Sequence, residues 1–205
     1  MRLVITADDY GYSPAIDRGI AEAAASRAID AVSAMVLRGS LDPSALDESG
    51  VGVGLHLELG EVALADQVDL FEETFGREPT HLDGHHHCHA SGRPAVEVAN
   101  LARERGWAVR SVDERHRRLL RCKGLRTADR LVGRIGEDEP VLPVEIEELI
   151  AGVDTGDQVL EWVVHPGHAD PSAESSYDAG REQDLRVLLE LADEPALRAI
   201  RGGWR

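Results

Sequence analysis

The 205-residue chain contains nine histidines, and five of them lie between His81 and His89 in the segment His-Leu-Asp-Gly-His-His-His-Cys-His. Neutral imidazole is the commonest metal ligand in proteins. Packing several imidazoles together in a protein interior costs desolvation free energy unless each of them has a partner. The cluster therefore predicts a metal site.

The register of this cluster decides which histidines can share one ion. In an extended segment alternate side chains point the same way, which puts His85, His87 and His89 on one side and His86 on the other. One ion cannot bind all of them, so the remainder are candidates for orienting the ligands or contacting a substrate. Cys88 is a zinc ligand in principle, but the same alternation directs it away from His85.

Two neighbouring carboxylates, Asp8 and Asp9, end an apolar run that begins at Leu3. The chain is expected to turn there, so both side chains can face one pocket. Two carboxylates close together are unfavourable unless a cation or a proton lies between them, and a metal ion would remove that repulsion. The alternative is that the pair only caps a turn before Gly11.

Two further histidines end apolar runs, His56 in Gly54-Leu-His and His165 in Val163-Val-His-Pro-Gly. A single histidine at a strand end is often only a hydrogen-bonded core residue, so neither motif is specific by itself. They indicate a functional site only because they occur together with the other motifs. For His165 the functional interpretation is a general acid or base.

Short apolar runs alternate with segments of helical periodicity along most of the chain, a pattern typical of parallel α/β sheets. The predicted strands are residues 3–7, 31–37, 51–57, 80–83, 108–112 and 160–164. The predicted helices are residues 15–28, 65–75, 93–105, 144–150 and 178–191.

Both a (β/α) barrel and an open doubly wound sheet fit this alternation. All four motifs follow predicted strands, and their side chains converge only if the strand ends surround one mouth, as they do in a barrel. An open sheet also binds ligands at strand ends but spreads the strands apart. Because 205 residues are few for a complete barrel, we predict a small or incomplete α/β barrel of seven to eight strands.

The charge of the chain limits its partners. Lys and Arg number 22 against 38 for Asp and Glu, a formal net charge of −16. Such a surface repels nucleic acids and anionic membranes, so neither is an expected partner. No stretch approaches the ~20 apolar residues of a membrane span, no signal-peptide pattern is present, and the two cysteines form no disulfide framework. These features predict a cytoplasmic protein.

Taken in order, the motifs resemble those of the YdjC-like family of carbohydrate deacetylases. The resemblance rests on Ala7-Asp-Asp-Tyr-Gly11, Gly54-Leu-His56, Pro79 to His89, Val164-His-Pro-Gly167 and a late Tyr177-x-x-x-Arg181 that precedes Asp184-Leu185. Residues 123–129 also look like the middle of the family's sequence. The resemblance covers nearly the whole chain and implies a single YdjC-like deacetylase domain over residues 1–205.

This resemblance implies a fold, a reaction and a set of residues. The fold is an α/β barrel related to the polysaccharide deacetylases, and the reaction removes acetyl groups from the N-acetylglucosamine units of short chitin-type oligosaccharides. Asp9, His56 and His85 match the metal ligands, Asp8 matches the catalytic base, and His165 matches the acid. The expected substrate-binding residues are His87, His89, Tyr177 and Arg181.

One divalent metal ion is the implied cofactor, and a small carbohydrate is the implied substrate. The family's usual metal is Mg²⁺, whereas two imidazoles and one carboxylate also suit Zn²⁺, Mn²⁺, Co²⁺ or Fe²⁺. The resemblance favours Mg²⁺ and the ligand set favours a transition metal, so the identity of the metal stays open at this point. Dimers are common in the family, which makes a homodimer a further expectation.

The chain departs from the family pattern at several positions. The segment between His56 and His81 is shorter than usual, so a substrate-covering loop is expected to be missing. Glu58 stands where a neutral polar residue is common. Relatives also continue into a last strand where this chain stops. These departures put the identity of the sugar in doubt.

Two alternative functions compete with deacetylation. The first is a non-catalytic sugar- or metal-binding relative, and the presence of Asp8 beside Asp9 argues against it because binding needs no base. The second is a metal-dependent phosphoesterase. Such a site should offer Lys or Arg to the phosphate, and the four motifs contain neither.

Overall fold

The computed structural model of the chain describes residues 1–38, 41–133, 157–175 and 177–204. Seven strands form one sheet, and all neighbouring strands in it are parallel. They are β1 (Arg2–Tyr10), β2 (Ala31–Ala34), β3 (Gly52–Leu57), β4 (His81–Gly84), β5 (Ala108–Val109), β6 (Arg130–Val132) and β7 (Val159–Val164). Their order across the sheet is β5-β4-β3-β2-β1-β7-β6.

Helices connect most of these strands. They are α1 (Pro14–Ala25), α2 (Ser44–Asp47), α3 (Leu64–Phe75), α4 (Gly92–Arg105), α5 (Glu114–Cys122), α6 (Asp178–Leu191) and α7 (Pro195–Ile200), and two short 3₁₀ helices cover His85–Ala90 and Pro171–Ala173. The start of α1 follows from its sequence, because Ser13 caps it and Pro14 occupies its first turn. Within the described ranges, no helix combines the length and apolarity that a membrane span requires.

The sheet curls, and the chain segment between β5 and β6 bridges its two edges. The Val109 backbone N–H donates to the Arg126 carbonyl at 3.0 Å, and the Asp129 N–H donates to the Val159 carbonyl at 2.7 Å. The Ser111 hydroxyl adds a hydrogen bond to the Ala128 carbonyl at 3.0 Å. The described strands thus form an incomplete, curled α/β barrel, which confirms the predicted fold class.

The buried side chains separate into apolar and charged regions. Apolar residues of α1, α3 and α4 pack on the outer face of the sheet, among them Ile16, Ile20, Phe71 and Val98. Trp204 joins a small cluster with Val4, Ala31, Ala108 and Ala128 near the amino-terminal ends of the strands. Charged residues are buried nearer the carboxyl ends, which is unusual because buried charges need partners; they include Asp8, Asp9, Asp83, Arg110 and Arg181. Glu161 is buried deeper in the barrel, beside Val4 of β1.

Some predicted elements differ from those observed. β2 ends at Ala34 and β5 at Val109, so both are shorter than predicted. The sequence prediction missed α5, because this arginine-rich helix contains few apolar residues and buries only His116 and Leu120. The same prediction also missed β6, whose three residues are too few to show a pattern. The predicted helix over residues 144–150 lies outside the described residues.

Candidate active site

A bulge in β1 brings both neighbouring carboxylates to the barrel mouth. The pairing of β1 with β2 gains one residue between Ala7 and Tyr10, and Asp9 adopts a left-handed backbone conformation with a φ of 73°. An extra residue breaks the alternation of side chains along a strand. Asp8 and Asp9 are therefore both buried within the site, with exposures of 3% and 1%.

Asp9, His56 and His85 come from three different strand ends and meet at one point. His85 Nδ1 lies 3.1 Å from Asp9 Oδ1, and His56 Nε2 lies 3.5 Å from the same oxygen. The donor atoms of Asp9, His56 and His85 all lie within 4.8 Å of one another. Two nitrogens and one carboxylate oxygen at this spacing fit a single divalent cation.

The opposite edge of the His56 ring is already engaged. Its Nδ1 lies 2.7 Å from Asp83 Oδ1, so Nε2 is the nitrogen that faces Asp9. A carboxylate on the far nitrogen orients a metal-binding histidine and raises its basicity. Burial acts to lower the pKa of His56, but Asp83 and Asp8 outweigh it and raise that pKa to about 9. The surroundings of His56 thus favour positive charge, as a cation site requires.

Arg110, which follows β5, organises a buried network of carboxylates. Its two Nη atoms donate to the two oxygens of Asp8 at 2.7 and 2.8 Å. One of them also lies 2.8 Å from Asp83 Oδ2, and Nε donates to Glu161 Oε1 at 2.8 Å. Burial acts to raise the pKa of Asp8, but the Arg110 guanidinium outweighs it and the pKa is lowered. Asp8 is therefore held ionised and in a fixed orientation.

The contacts of Arg110 also show which of two groups of potential metal ligands is the better candidate. Asp8, His56 and Asp83 also bring their donor atoms within 4.8 Å of one another. Arg110 engages both oxygens of Asp8 and one of Asp83, whereas the guanidinium next to Asp9 engages only Oδ2 and leaves Oδ1 facing the two imidazoles. The group of Asp9, His56 and His85 is therefore the better place for a metal ion.

Arg181 of α6 lies behind Asp9. It is fully buried, and its Nη2 donates to Asp9 Oδ2 at 2.7 Å and to the Ser175 hydroxyl at 2.8 Å. Its guanidinium also lies 5.8 Å from the centre of the Tyr12 ring. The geometry thus supports a role for Arg181 in positioning Asp9 and not the direct substrate contact expected from the sequence.

His165 follows β7, the strand next to β1, and lines the same pocket. Its ring stacks on Tyr177 at 4.2 Å, and its backbone N–H donates to Asp184 Oδ2 at 2.8 Å. Burial is the main cause that lowers the pKa of its imidazole. The pocket that it lines together with Asp8 and His56 has an open volume of about 20 Å³, room for roughly one water molecule.

A comparison with models of known protein families covers the residues of this site. A family model described as YdjC-like protein matches residues 2–65 and 61–198. This chain belongs to the YdjC-like family. The match includes every motif on which the resemblance in the sequence rested, and it confirms that resemblance.

Curated relatives of this YdjC-like protein include the chitooligosaccharide deacetylases of Salmonella dublin and Salmonella enteritidis PT4. Each is 28% identical over 238 aligned positions, which cover 95% of this chain and 93% of the relative. The alignment is longer than the 205 residues of this chain, so the relatives carry insertions that it lacks.

Solved structures agree with the fold. A protein of Enterococcus faecalis V583, provisionally described as a cellobiose-phosphate cleavage protein, superposes with a TM-score of 0.82 at 21% identity and covers 98% of this chain and 97% of its own. A lactam utilization protein of Thermus thermophilus superposes with a TM-score of 0.56 at 16% identity, and 99% of each chain is covered. At these identities the likeness shows the fold alone.

The histidine cluster of this YdjC-like protein does not alternate as predicted. The chain turns into a 3₁₀ helix directly after β4, and His86 and His87 have φ angles of 50° and 55°, in the left-handed region. The prediction of an extended segment was wrong because β4 ends at Gly84. His85 and His87 line the pocket as expected, but His86 lines it as well.

His89 and Cys88 face away from the pocket. His89 is fully buried, its Nε2 lies 3.1 Å from the Arg110 carbonyl oxygen, and its ring packs on His116 at 5.4 Å. The Cys88 thiol donates to the Leu57 carbonyl at 3.2 Å. His89 therefore supports the segment that carries Arg110, and direct contact with a substrate, the role expected from the sequence, would require it to move.

The sequence missed Arg110 and Glu161 as site residues. Glu161 interrupts the apolar strand Val159–Val164. A charged residue inside such an apolar run is the sequence signal that could have identified it. The four motifs contain no Lys or Arg, but two arginines outside them, Arg110 and Arg181, reach the site. Each is engaged by carboxylates, so their presence does not create a phosphate site.

Proposed function

We propose that this YdjC-like protein is a metal-dependent hydrolase that removes acetyl groups from N-acetylated sugars of the chitooligosaccharide type. The observation that carries the proposal is the convergence of Asp9, His56 and His85 beside Asp8 and His165. The chitooligosaccharide deacetylases of Salmonella, aligned over 95% of this chain, support the substrate class.

Asp9, His56 and His85 would hold one divalent cation. When bound, such an ion polarises an amide carbonyl and lowers the pKa of a water molecule. The resemblance favours Mg²⁺ and the two imidazole nitrogens favour a transition metal. Analysis of the metal that co-purifies with the protein decides between them.

Asp8 acts as the general base in this proposal. Arg110 keeps its carboxylate ionised and aligned, so it accepts a proton from the attacking water at an oxygen whose position is fixed. His165 then donates a proton to the departing amine, which leaves poorly unless it is protonated. Stacking on Tyr177 holds the imidazole in place for that transfer.

The test is Asp8→Asn, which keeps the size of the side chain and removes its basicity. Acetate release from N,N′-diacetylchitobiose should fall by at least roughly 10²-fold, while metal content and sugar affinity stay near those of the unmodified protein. Asp69→Asn, on the exposed face of α3, is the matched control.

Two outcomes would contradict this division of roles. Loss of the metal from the Asp8→Asn variant would make Asp8 a ligand. An unmodified protein that binds N-acetylated sugars but releases no acetate with any divalent metal would be a non-catalytic relative.

A further inference from the structure

We propose that Tyr12, Arg38 and Glu58, here called the β1–β3 rim, bind the sugar ring that adjoins the acetylated one. This inference rests on the proposed function and deepens it. It names the residues that would recognise the second ring of the proposed oligosaccharide substrate.

The β1–β3 rim lies directly beside the proposed metal ligands. Its three residues follow the carboxyl ends of β1, β2 and β3, which are neighbours in the sheet. The Tyr12 ring lies 5.9 Å from the His85 ring, and the Arg38 guanidinium lies 4.6 Å over the Tyr12 ring. When the acetyl group of a sugar lies at His85, the neighbouring sugar ring is therefore close enough to contact the β1–β3 rim.

Arg38 and Glu58 are fixed relative to each other before any ligand binds. Arg38 Nη2 and Nε lie 2.7 and 2.9 Å from Glu58 Oε1. The backbone of Glu58 is fixed in turn by the buried side chain of Gln67, which accepts its N–H at 3.1 Å and donates to its carbonyl at 2.7 Å. Preorganised polar groups lose less conformational entropy when they bind a ligand.

The pocket is too small to hold a sugar ring, so the rings of a substrate must lie at its mouth. The space between Asp8, His56 and His165 is about 20 Å³, too small for a pyranose ring. Any ring attached to the acetyl group must therefore lie outside that space and against the side chains around it. Arg38 remains 38% exposed there and Glu58 18% exposed.

The chemistry of the β1–β3 rim fits a neutral, hydroxyl-rich ring. Arg38 offers donors, Glu58 offers the remaining acceptor capacity of Oε1 while its Oε2 is buried, and Tyr12 offers an aromatic ring with a polar tip. The opposite charges of Arg38 and Glu58 cancel, so the rim favours neither an anionic nor a cationic ligand. Neighbouring hydroxyls of a sugar can each meet one member of the pair.

The test compares a one-ring with a two-ring substrate, N-acetylglucosamine and N,N′-diacetylchitobiose. The variants are Arg38→Met and Glu58→Gln, and each should lower the ratio of kcat/KM for the disaccharide to that for the monosaccharide roughly tenfold, since a hydrogen bond to a charged group is lost. Glu114→Gln breaks the exposed Arg118–Glu114 pair of α5, at 2.7 Å, and is the control that should leave the ratio unchanged.

Titration calorimetry of the metal-loaded protein with the same two sugars tests the subsite independently of turnover. The unmodified protein should bind the disaccharide more tightly than the monosaccharide, and both variants should reduce that difference. Equal affinity of the unmodified protein for the two sugars, binding of neither sugar, or variants that leave the difference intact would overturn the proposal. Failure of acetate release alone, with the affinity difference present, would overturn only the proposed reaction.

Discussion

Asp9 is held from two sides by groups that leave one of its oxygens for the imidazoles. Arg181 binds Oδ2 at 2.7 Å, and His85 Nδ1 lies 3.1 Å from Oδ1. Burial acts to raise the pKa of Asp9, but His85, His165 and Arg181 outweigh it and hold that pKa well below its usual value. The strained φ of 73° at Asp9 is of a kind that persists where the surroundings fix the backbone.

His85 and His86 provide a residue-scale test of the metal site, because both line the pocket but only His85 contacts Asp9. Replacing His85 with Ala removes one of three proposed ligands and should lower metal affinity by roughly 10²-fold or more. Replacing His86 with Ala should change that affinity little. Calorimetric titration of Zn²⁺ and Mn²⁺ into each protein measures both effects, and similar losses from the two variants would show that the ligands are assigned wrongly.

At the scale of elements, close packing between β3 and β4 fixes the polar interior. His81 at the start of β4 is fully buried, stacks on Trp204 and lies 3.1 Å from the Ser33 hydroxyl through its Nε2. The same Ser33 hydroxyl donates to Asp83 Oδ2 at 2.6 Å. The position of His81 is thereby linked to Asp83, the carboxylate that orients His56.

Gly54 in β3 makes room for His81. A Cβ atom at this position would overlap the His81 ring, and that ring cannot move away because Thr80, Ser33 and Trp204 hold it. We expect Gly54→Ala to lower the free energy of unfolding by about 1–3 kcal/mol.

Urea denaturation measures this change. The control is Gly60→Ala, where an added Cβ would meet no atom within 4 Å and the expected change is within about 0.5 kcal/mol. Equal stabilities of the Gly54→Ala variant and the unmodified protein would mean that His81 has room to shift.

At the scale of the whole molecule, an acidic chain also buries acidic groups inside its barrel. The net charge is −16, and Asp8, Asp83 and Glu161 share the guanidinium of Arg110 in the interior. Partnered charges avoid most of the penalty of an isolated buried ion. Glu161 is the member of this group whose carboxylate has one oxygen without a hydrogen-bond partner among the described residues.

Glu161 should make the stability of the protein depend on pH. Burial raises its pKa from 4.5 to about 7, although Arg110 opposes the shift. Because the folded state holds this proton more tightly than the unfolded state, the stabilisation is complete below pH 4.5 and is lost as the pH rises through 7. The loss is at most roughly 3–4 kcal/mol, because the pKa rises from 4.5 to about 7 and each pH unit corresponds to about 1.36 kcal/mol.

Urea denaturation at pH 5 and pH 8, in the presence of a chelator, measures this dependence. Glu161→Gln removes the titrating group, so its stability should fall less than that of the unmodified protein between the two pH values. Glu190→Gln, on the exposed side of α6, is the matched control and should behave like the unmodified protein. The same pH dependence in the Glu161→Gln variant would rule Glu161 out as the cause.

The sequence by itself determined the fold class and most of the elements. Apolar runs locate six of the seven described strands to within a few residues, because burial on both faces requires a continuous apolar stretch. The position of Asp9, His56 and His85 at the ends of such runs was enough to predict that they converge. In a parallel barrel, the carboxyl ends of the strands share one mouth.

The tertiary structure alone decided which partners these side chains have. Arg110 and Asp8 are 102 positions apart, and Arg181 and Asp9 are 172 apart. No local pattern shows which distant carboxylate a buried arginine will bind. The register of the histidine cluster was likewise decided by a turn after Gly84, because alternation predicts side-chain direction only as long as the strand continues.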